Sequence, residues 1–191
     1  MNQHPDAACP KQCNVRLPDW VSELTPEGAM ADDEACMALV LTLTERNVAE
    51  ETGGPFGALV LDDETGRVLA LGVNLAPTTG NAVLHAETVA LMLAAEGGEA
   101  TGRRTLYASC EPCIMCLGAV HWAGIERVVC AALKEDAEAV GFNEGEGAGD
   151  LRAAMEARGV KFRDGLMRER GAQILRDYCD AGGDVYGPER A

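Results

Sequence analysis

The chain has 191 residues, a length typical of one ordinary domain with extensions. Apolar residues make up 47% and charged residues 25%, which excludes a largely disordered chain, a coiled-coil fibre and a collagen-like repeat. The net charge of -15 opposes binding to phosphate backbones and anionic membranes, so we expect a small neutral substrate and no nucleic acid. No apolar run approaches the roughly 20 residues that cross a bilayer, and no secretory signal is recognisable. These features predict a cytoplasmic protein without a membrane partner.

Residues 1–31 are rich in proline and polar residues, and they predict an N-terminal arm with little regular structure. Hydrophobic periodicity and turn residues then predict alternating helices and strands. These are a helix from Asp32 or Asp33 to about Glu51, a hairpin of strands over 56–61 and 68–73, a helix over 85–95, a strand over 104–109, a helix over 113–122, a strand over 127–133, a helix over 151–158, a short strand over 160–163 and a helix over 169–181. The alternation favours a layered α/β domain, with its core at 32–164 and a C-terminal helix and tail at 165–191.

The eight cysteines are more consistent with free thiols or metal ligands than with a disulfide scaffold, given the chain length and the absence of a signal. Only the run CEPCIMC, from Cys110 to Cys116, concentrates them where a strand passes into a helix. Cys113 and Cys116 are three residues apart, so on a helix both sulfurs face one side. The helix N-terminus also favours the thiolates that bind metal. Cys9 and Cys13 form a weaker thiol pair in the arm.

His85 and Glu87 form a second segment, at the start of another predicted helix. One imidazole and two thiolates suit Zn²⁺ and leave a fourth tetrahedral position for water, whose pKa zinc lowers toward about 7. Glu87 could reach that water without binding the metal, so we expect it to transfer protons. Two alternatives remain open at this stage. Cys110 could complete a closed structural site, and Glu87 could be a solvated helix-start carboxylate.

The order His-x-Glu followed by Pro-Cys-x-x-Cys is the signature of zinc-dependent nucleobase deaminases. The chain resembles the cytidine deaminase superfamily over about residues 33–186. The segments that carry the resemblance are GGPFGA (53–58), LHAE (84–87), CEPCIMCLGA (110–119) and EAVGFNEG (138–145). GGPFGA and GFNEG resemble the bacterial guanine deaminase branch. The resemblance implies a three-layer α/β/α fold with a mixed sheet of about five strands, a Zn²⁺ ion and a homodimer.

The resemblance also implies roles for residues outside the metal segments. Asn74 would hydrogen-bond the base, and Phe56 and Trp122 would pack against its ring. Glu144 would act near the amino group that leaves. In some relatives the C-terminal segment crosses to the partner, which makes Tyr186 and the tail a candidate lid over the chain's own or its partner's active site. Judged from the residues alone, Asn74 could simply hold a turn. Phe56 and Trp122 could pack in the core, and Glu144 could be a solvated charge in a loop.

Together these features predict a hydrolytic deaminase of a free purine base, with His85, Cys113 and Cys116 as zinc ligands. Guanine would give xanthine and ammonia, and ammeline would be a further substrate. A cytosine- or nucleoside-type deaminase is the alternative within the superfamily. A tRNA adenosine deaminase is opposed by the acidic charge, because it must bind a polyanion. A zinc-binding module without enzymatic activity is the alternative from another class.

Overall fold

Helices and strands alternate around one five-stranded sheet in the computed structural model, which describes residues 14–97, 102–145 and 147–187. The strands are β1 (Gly57–Asp62), β2 (Val68–Val73), β3 (Arg104–Cys110), β4 (Arg127–Ala132) and β5 (Lys161–Arg163). The helices are α1 (Asp33–Ala49), α2 (Ala76–Thr79), α3 (Ala86–Glu96), α4 (Ile114–Trp122), α5 (Lys134–Ala139), α6 (Ala148–Glu156) and α7 (Arg168–Asp180). A 3₁₀ helix (Asp19–Leu24) precedes α1.

The sheet is mixed and has the strand order β2-β1-β3-β4-β5. β1 is antiparallel to both β2 and β3, whereas β3, β4 and β5 run parallel to one another. Alternate strand residues face opposite layers, as the period of two requires. Leu59 and Tyr107 pack in a core with α1 and α7, and Val60 and Leu106 pack in a core with α3, α4 and α6. This arrangement confirms the predicted three-layer α/β/α fold.

The long helix α1 begins where its sequence predicts. Asp32 is its N-cap, and the Asp32 carboxylate accepts a 2.8 Å hydrogen bond from the backbone N–H of Ala35. Such a cap satisfies one of the N–H groups that a helix leaves unpaired in its first turn. Two short helices, α2 and α5, were not predicted, because four and six residues carry too little periodicity to be recognised.

The segment before α1, for which little regular structure is predicted, contains the 3₁₀ helix at Asp19–Leu24. Trp20 and Val21 in the 3₁₀ helix are buried in the same core as α1. The Trp20 indole N–H donates to Thr52 Oγ1 at 3.3 Å, and the Arg46 guanidinium lies 5.0 Å from its ring centroid. Partly buried Leu17 and Leu24 pack against the same core, so several apolar side chains dock this segment. Cys9 and Cys13 lie outside the described residues.

Within residues 14–97, 102–145 and 147–187, no helix combines the length and the apolar character that a bilayer requires.

Candidate active site

The predicted metal residues meet at a cavity of about 580 Å³, where the chain leaves β3 and enters α4. His85 is the N-cap of α3, Cys113 is the N-cap of α4, and Cys116 lies one turn inside α4. Their ligand atoms, one imidazole nitrogen and two sulfurs, all lie within 4.8 Å of one another. Two helix N-termini thus converge on the cluster, and their partial positive charge favours thiolates there.

The spacing of these three atoms fits a tetrahedral zinc site. His85 Nδ1 is 3.5 Å from Cys113 Sγ and 3.6 Å from Cys116 Sγ. Zinc bonds of normal length at tetrahedral angles would separate a nitrogen and a sulfur by roughly 3.6 Å. The hydrogen bond from Cys116 and the contact with His85 lower the pKa of Cys113 to about 4, despite burial. Cys113 is therefore a thiolate at neutral pH, which is the form that binds metal.

Cys110 does not join this cluster. Its side chain is buried, and its thiol donates to the carbonyl oxygen of Leu133 at 3.6 Å. Burial raises the pKa of Cys110 well above its usual range, so it stays a neutral thiol. The contacts therefore favour the open three-ligand site over a closed site of three cysteines and one histidine.

Two buried carboxyl groups, Glu87 and Glu144, line the same cavity. Burial, with a smaller contribution from the nearby Cys113 thiolate, raises the pKa of Glu87 to about 7. Burial raises the pKa of Glu144 to about 8, again with a contribution from Cys113. Carboxyl groups with pKa values near neutrality can both accept and donate protons, as acid–base catalysis requires. The plainer reading of both residues as solvated charges does not hold in this fold.

An aromatic wall closes another side of the cavity. The ring centroid of Phe142 is 5.0 Å from that of Phe56 and 5.4 Å from that of Tyr186, both in edge-to-face contacts. Tyr186 therefore lies over the cavity of its own chain. A Cβ atom at Gly54 would lie 2.4 Å from the Tyr186 hydroxyl, so only glycine leaves room for this ring.

Asn74 is buried beside the cavity and held by its neighbours. Its side-chain oxygen accepts a 3.0 Å hydrogen bond from the N–H of Ala76, a cavity residue, and its backbone oxygen accepts one from Asn47 Nδ2 at 3.0 Å. A Cβ atom at Gly53 would lie 1.8 Å from that backbone oxygen, which explains the first glycine of GGPFGA. Among the described residues, nothing accepts a hydrogen bond from the Asn74 amide nitrogen. A buried free donor of this kind is suited to a ligand acceptor.

Comparison with known proteins identifies the family. The family described as Cytidine and deoxycytidylate deaminase zinc-binding region matches residues 30–132. The chain belongs to this family. Among curated relatives of this deaminase, the guanine deaminase of Bacillus subtilis (strain 168) is 35% identical over 138 residues, which cover 71% of this chain and 87% of that protein.

Solved structures of other deaminases support the same assignment. The guanine deaminase from Nitrosomonas europaea has a TM-score of 0.82 and 34% identity, and the match covers 90% of this chain and 98% of that one. A mutant of the protein NE0047 in complex with 8-azaguanine has a TM-score of 0.83 and 34% identity, over 91% of this chain and 99% of that one. The resemblance on which the sequence analysis relied is thereby confirmed.

Trp122 is the predicted site residue that the structure places elsewhere. Its side chain is 88% exposed, and it is absent from the lining of the deaminase cavity. The buried face of α4 carries Leu117 and Val120, and Trp122 lies roughly 200° around the helix from Val120. The resemblance implied that Trp122 packs against the base, and within the described chain its ring does not reach this pocket.

Sequence reasoning also missed parts of the deaminase cavity. Phe142 and Asn143 line it together with Glu111, which comes two residues before Cys113. Phe142 and Asn143 stand in the GFNEG segment, so that segment was the available signal. Glu111 stands in the cysteine run CEPCIMC, from which the sequence pattern predicted only the role of the cysteine sulfurs.

Proposed function

We propose that this chain catalyses hydrolytic deamination of guanine, with water as co-substrate and xanthine and ammonia as products. One observation carries the proposal: a single cavity joins the cluster of His85, Cys113 and Cys116 to the buried carboxyl groups of Glu87 and Glu144. The match to guanine deaminases in sequence and structure supports the choice of base.

His85, Cys113 and Cys116 hold Zn²⁺, and the zinc-binding family and the spacing of their ligand atoms support this assignment. The ion supplies Lewis acidity, which makes water a nucleophile near neutral pH. Glu87 accepts a proton from the attacking water and delivers it to a ring nitrogen of the base. It then transfers the second proton to the amino group, which leaves as ammonia. A pKa near neutrality suits both directions of transfer.

The remaining cavity residues bind and orient the base. Phe56, Phe142 and Tyr186 provide the apolar surface that a planar ring needs. Asn74 offers its buried free donor to an acceptor on the base, and Glu144 orients the exocyclic amine or relays a proton to it. No lysine or arginine is found among the described residues of the lining, so a phosphate group would lack a partner there. This favours a free base over a nucleotide.

The functional unit is a homodimer that forms through the outer face of α4. Ile114, Gly118 and Trp122 stand four residues apart and therefore share one side of the helix. Ile114 is 39% exposed and Trp122 is 88% exposed, so this face presents apolar side chains to solvent, although Ile114 also contacts the Gly145 loop. Ile114 also lines the cavity, which would bring the two active sites close to the interface. The tail that carries Tyr186 acts as a lid over the cavity.

The six described cysteines are all free thiols, which is typical of a reducing compartment. This supports a cytoplasmic location.

Ammonia release from a panel of substrates tests the function, with the ultraviolet spectrum of each product recorded. The panel contains guanine, ammeline, guanosine, cytosine, cytidine and a tRNA anticodon stem-loop. We expect the highest kcat/KM for guanine. A higher value for cytosine or cytidine would select the alternative deaminase, and bound zinc without turnover of any substrate would indicate a non-enzymatic module.

A further inference from the structure

The position of Glu144 is set by its backbone. None of the hydrogen bonds among the described residues involves its carboxylate. Two successive backbone carbonyl groups of its loop each accept a hydrogen bond. The oxygen of Glu144 accepts from the N–H of Ile114 at 3.2 Å, and the oxygen of Gly145 accepts from Lys134 Nζ at 2.9 Å. Gly145 has a φ of +78°, and a Cβ atom there would lie 2.5 Å from Ile114 Cγ2. The loop therefore lies tight against the first turn of α4.

Both the backbone and the side chain of Lys134 make polar contacts of their own. It is the first residue of α5, and its backbone N–H donates to Glu111 Oε2 at 3.2 Å. Its ammonium group also pairs with Glu138 Oε1 at 3.4 Å on the same helix. Lys134 does not line the cavity, so its ammonium group contacts the loop on the side away from the cavity.

The carboxylate of Glu111 connects Lys134 to the rest of the fold. Its other oxygen accepts from Arg152 Nη1 on α6 at 3.0 Å. The Arg152 guanidinium also donates to Asp164 at 2.6 Å and lies 4.5 Å from the ring centroid of Phe162. Glu111 stands two residues before Cys113, so one set of charged contacts ties the Glu144 loop to the segment that carries the metal residues.

The geometry points to Lys134 as a positioning residue for Glu144, an inference that rests on the proposed deaminase function. The Ile114 N–H and the Lys134 ammonium hold the two carbonyl groups on either side of the Gly145 Cα, directly after Glu144. Together they fix the direction in which the Glu144 side chain leaves the backbone. A displacement of about 1 Å at a reacting group can lower the rate about 10²-fold. A lysine outside the cavity therefore contributes to kcat.

The substitution Lys134→Met tests this role in the zinc-loaded full chain, because methionine keeps much of the aliphatic length and removes the donor. We expect kcat for guanine to fall about 10- to 100-fold, with a far smaller change in KM and unchanged zinc content. Lys134→Arg, which keeps the charge and the donors, should recover most of the rate. Equal losses in both variants would overturn the positioning role.

A double-mutant cycle with Glu144→Gln separates positioning from a general loss of structure. Glu144→Gln alone should lower kcat far more than it raises KM, with zinc content unchanged. In that background, Lys134→Met should have little further effect, because the group that it positions is already inactive. Losses that multiply independently would contradict the inference.

Glu138→Gln is the matched control, since it removes the other partner of Lys134 and leaves the Gly145 contact in place. Its kcat should equal that of the parent. Hydrogen exchange at the Ile114 amide provides a readout without substrate, and it should accelerate in Lys134→Met but not in Glu138→Gln. Faster exchange in an enzyme that does not deaminate guanine would reject the proposed function and keep the positioning contact. Unchanged exchange and unchanged kcat in Lys134→Met would reject the contact.

Discussion

Carboxyl groups in two regions of the molecule have pKa values that are shifted in opposite directions. At the cavity, Glu87 and Glu144 are buried beside a thiolate, and their pKa values rise to about 7 and about 8. Near the start of β4, Asp33 accepts hydrogen bonds from the Tyr107 hydroxyl at 2.7 Å and from Arg127 Nη1 at 2.9 Å, and it also pairs with Arg163. The Arg127 guanidinium holds the pKa of Asp33 well below its usual range.

The carboxyl groups of Glu87 and Glu144 are suited to reaction, whereas that of Asp33 stabilises the fold. A carboxylate paired with two guanidinium groups is charged over the whole working pH range, so it stabilises the native state and transfers no protons. A buried carboxyl group without a cation partner does not stabilise the fold in this way, but it can change its protonation state near neutral pH. Glu87 and Glu144 are buried without an ion pair, whereas Asp33 is half-buried and paired with two arginines, so burial and partner together decide the use of each group.

The largest expected effect comes from removing a metal residue. Cys113→Ala should lose zinc and guanine deamination together, because two remaining ligands do not hold the ion in a catalytic geometry. Metal analysis of the purified variant, with the parent at about one zinc per chain, is the measurement.

Cys110→Ser is the matched control for Cys113→Ala, since Cys110 lies in the same run but bonds to Leu133. It should keep both zinc and activity. Loss of zinc from this variant would show that the ligand set includes Cys110.

Glu87→Gln should remove proton transfer and leave the metal in place. General acid–base groups contribute about 10²–10⁴ in rate, and Glu87 serves more than one transfer, so kcat should fall by at least that factor. The free energy of unfolding should not fall, because the substitution removes a buried carboxyl group that forms no ion pair with a side chain of the described residues. Turnover close to that of the parent, at equal zinc content, would exclude the assigned role.

Asp33→Asn, unlike Glu87→Gln, should lower the stability of the protein without lowering its activity. The free energy of unfolding at pH 7, measured with urea, should fall by about 1–3 kcal/mol, because hydrogen bonds to charged groups are lost. The activity of the folded protein should not change. Asp19→Asn is the control, since Asp19 pairs with Arg16 where both side chains are more than four-fifths exposed, and it should have almost no effect.

Lower pH should reduce the difference between Asp33→Asn and the parent. The pKa of Asp33 is depressed in the folded state, so its stabilising contribution is complete above the unfolded pKa of about 3.9 and is lost as pH falls below it. A stability difference that grows on acidification would have the wrong sign for this ion-pair network.

Local sequence determined much of this protein. The spacing of Cys113 and Cys116 and the segment from His85 to Glu87 predicted the metal cluster, because each motif lies within one helical turn. The long helices and the hairpin were predicted to within a few residues for the same reason, since their periodicity repeats over several turns or alternations. The family resemblance added the layered fold and the role of the segment around Glu144.

Only the tertiary structure decided which side chains meet across the chain. Trp122 faces outward because the other side of α4 packs against α3 and α6, and Trp20 is buried because the segment before α1 folds back onto the core. Lys134, Glu111 and Arg152 form one set of contacts although they come from three separate segments of the sequence. No local pattern encodes such a meeting, because it depends on how α5 and α6 pack beside β3 and β4. The pKa values of the carboxyl groups also depend on the fold, since burial and nearby charge are properties of the folded chain.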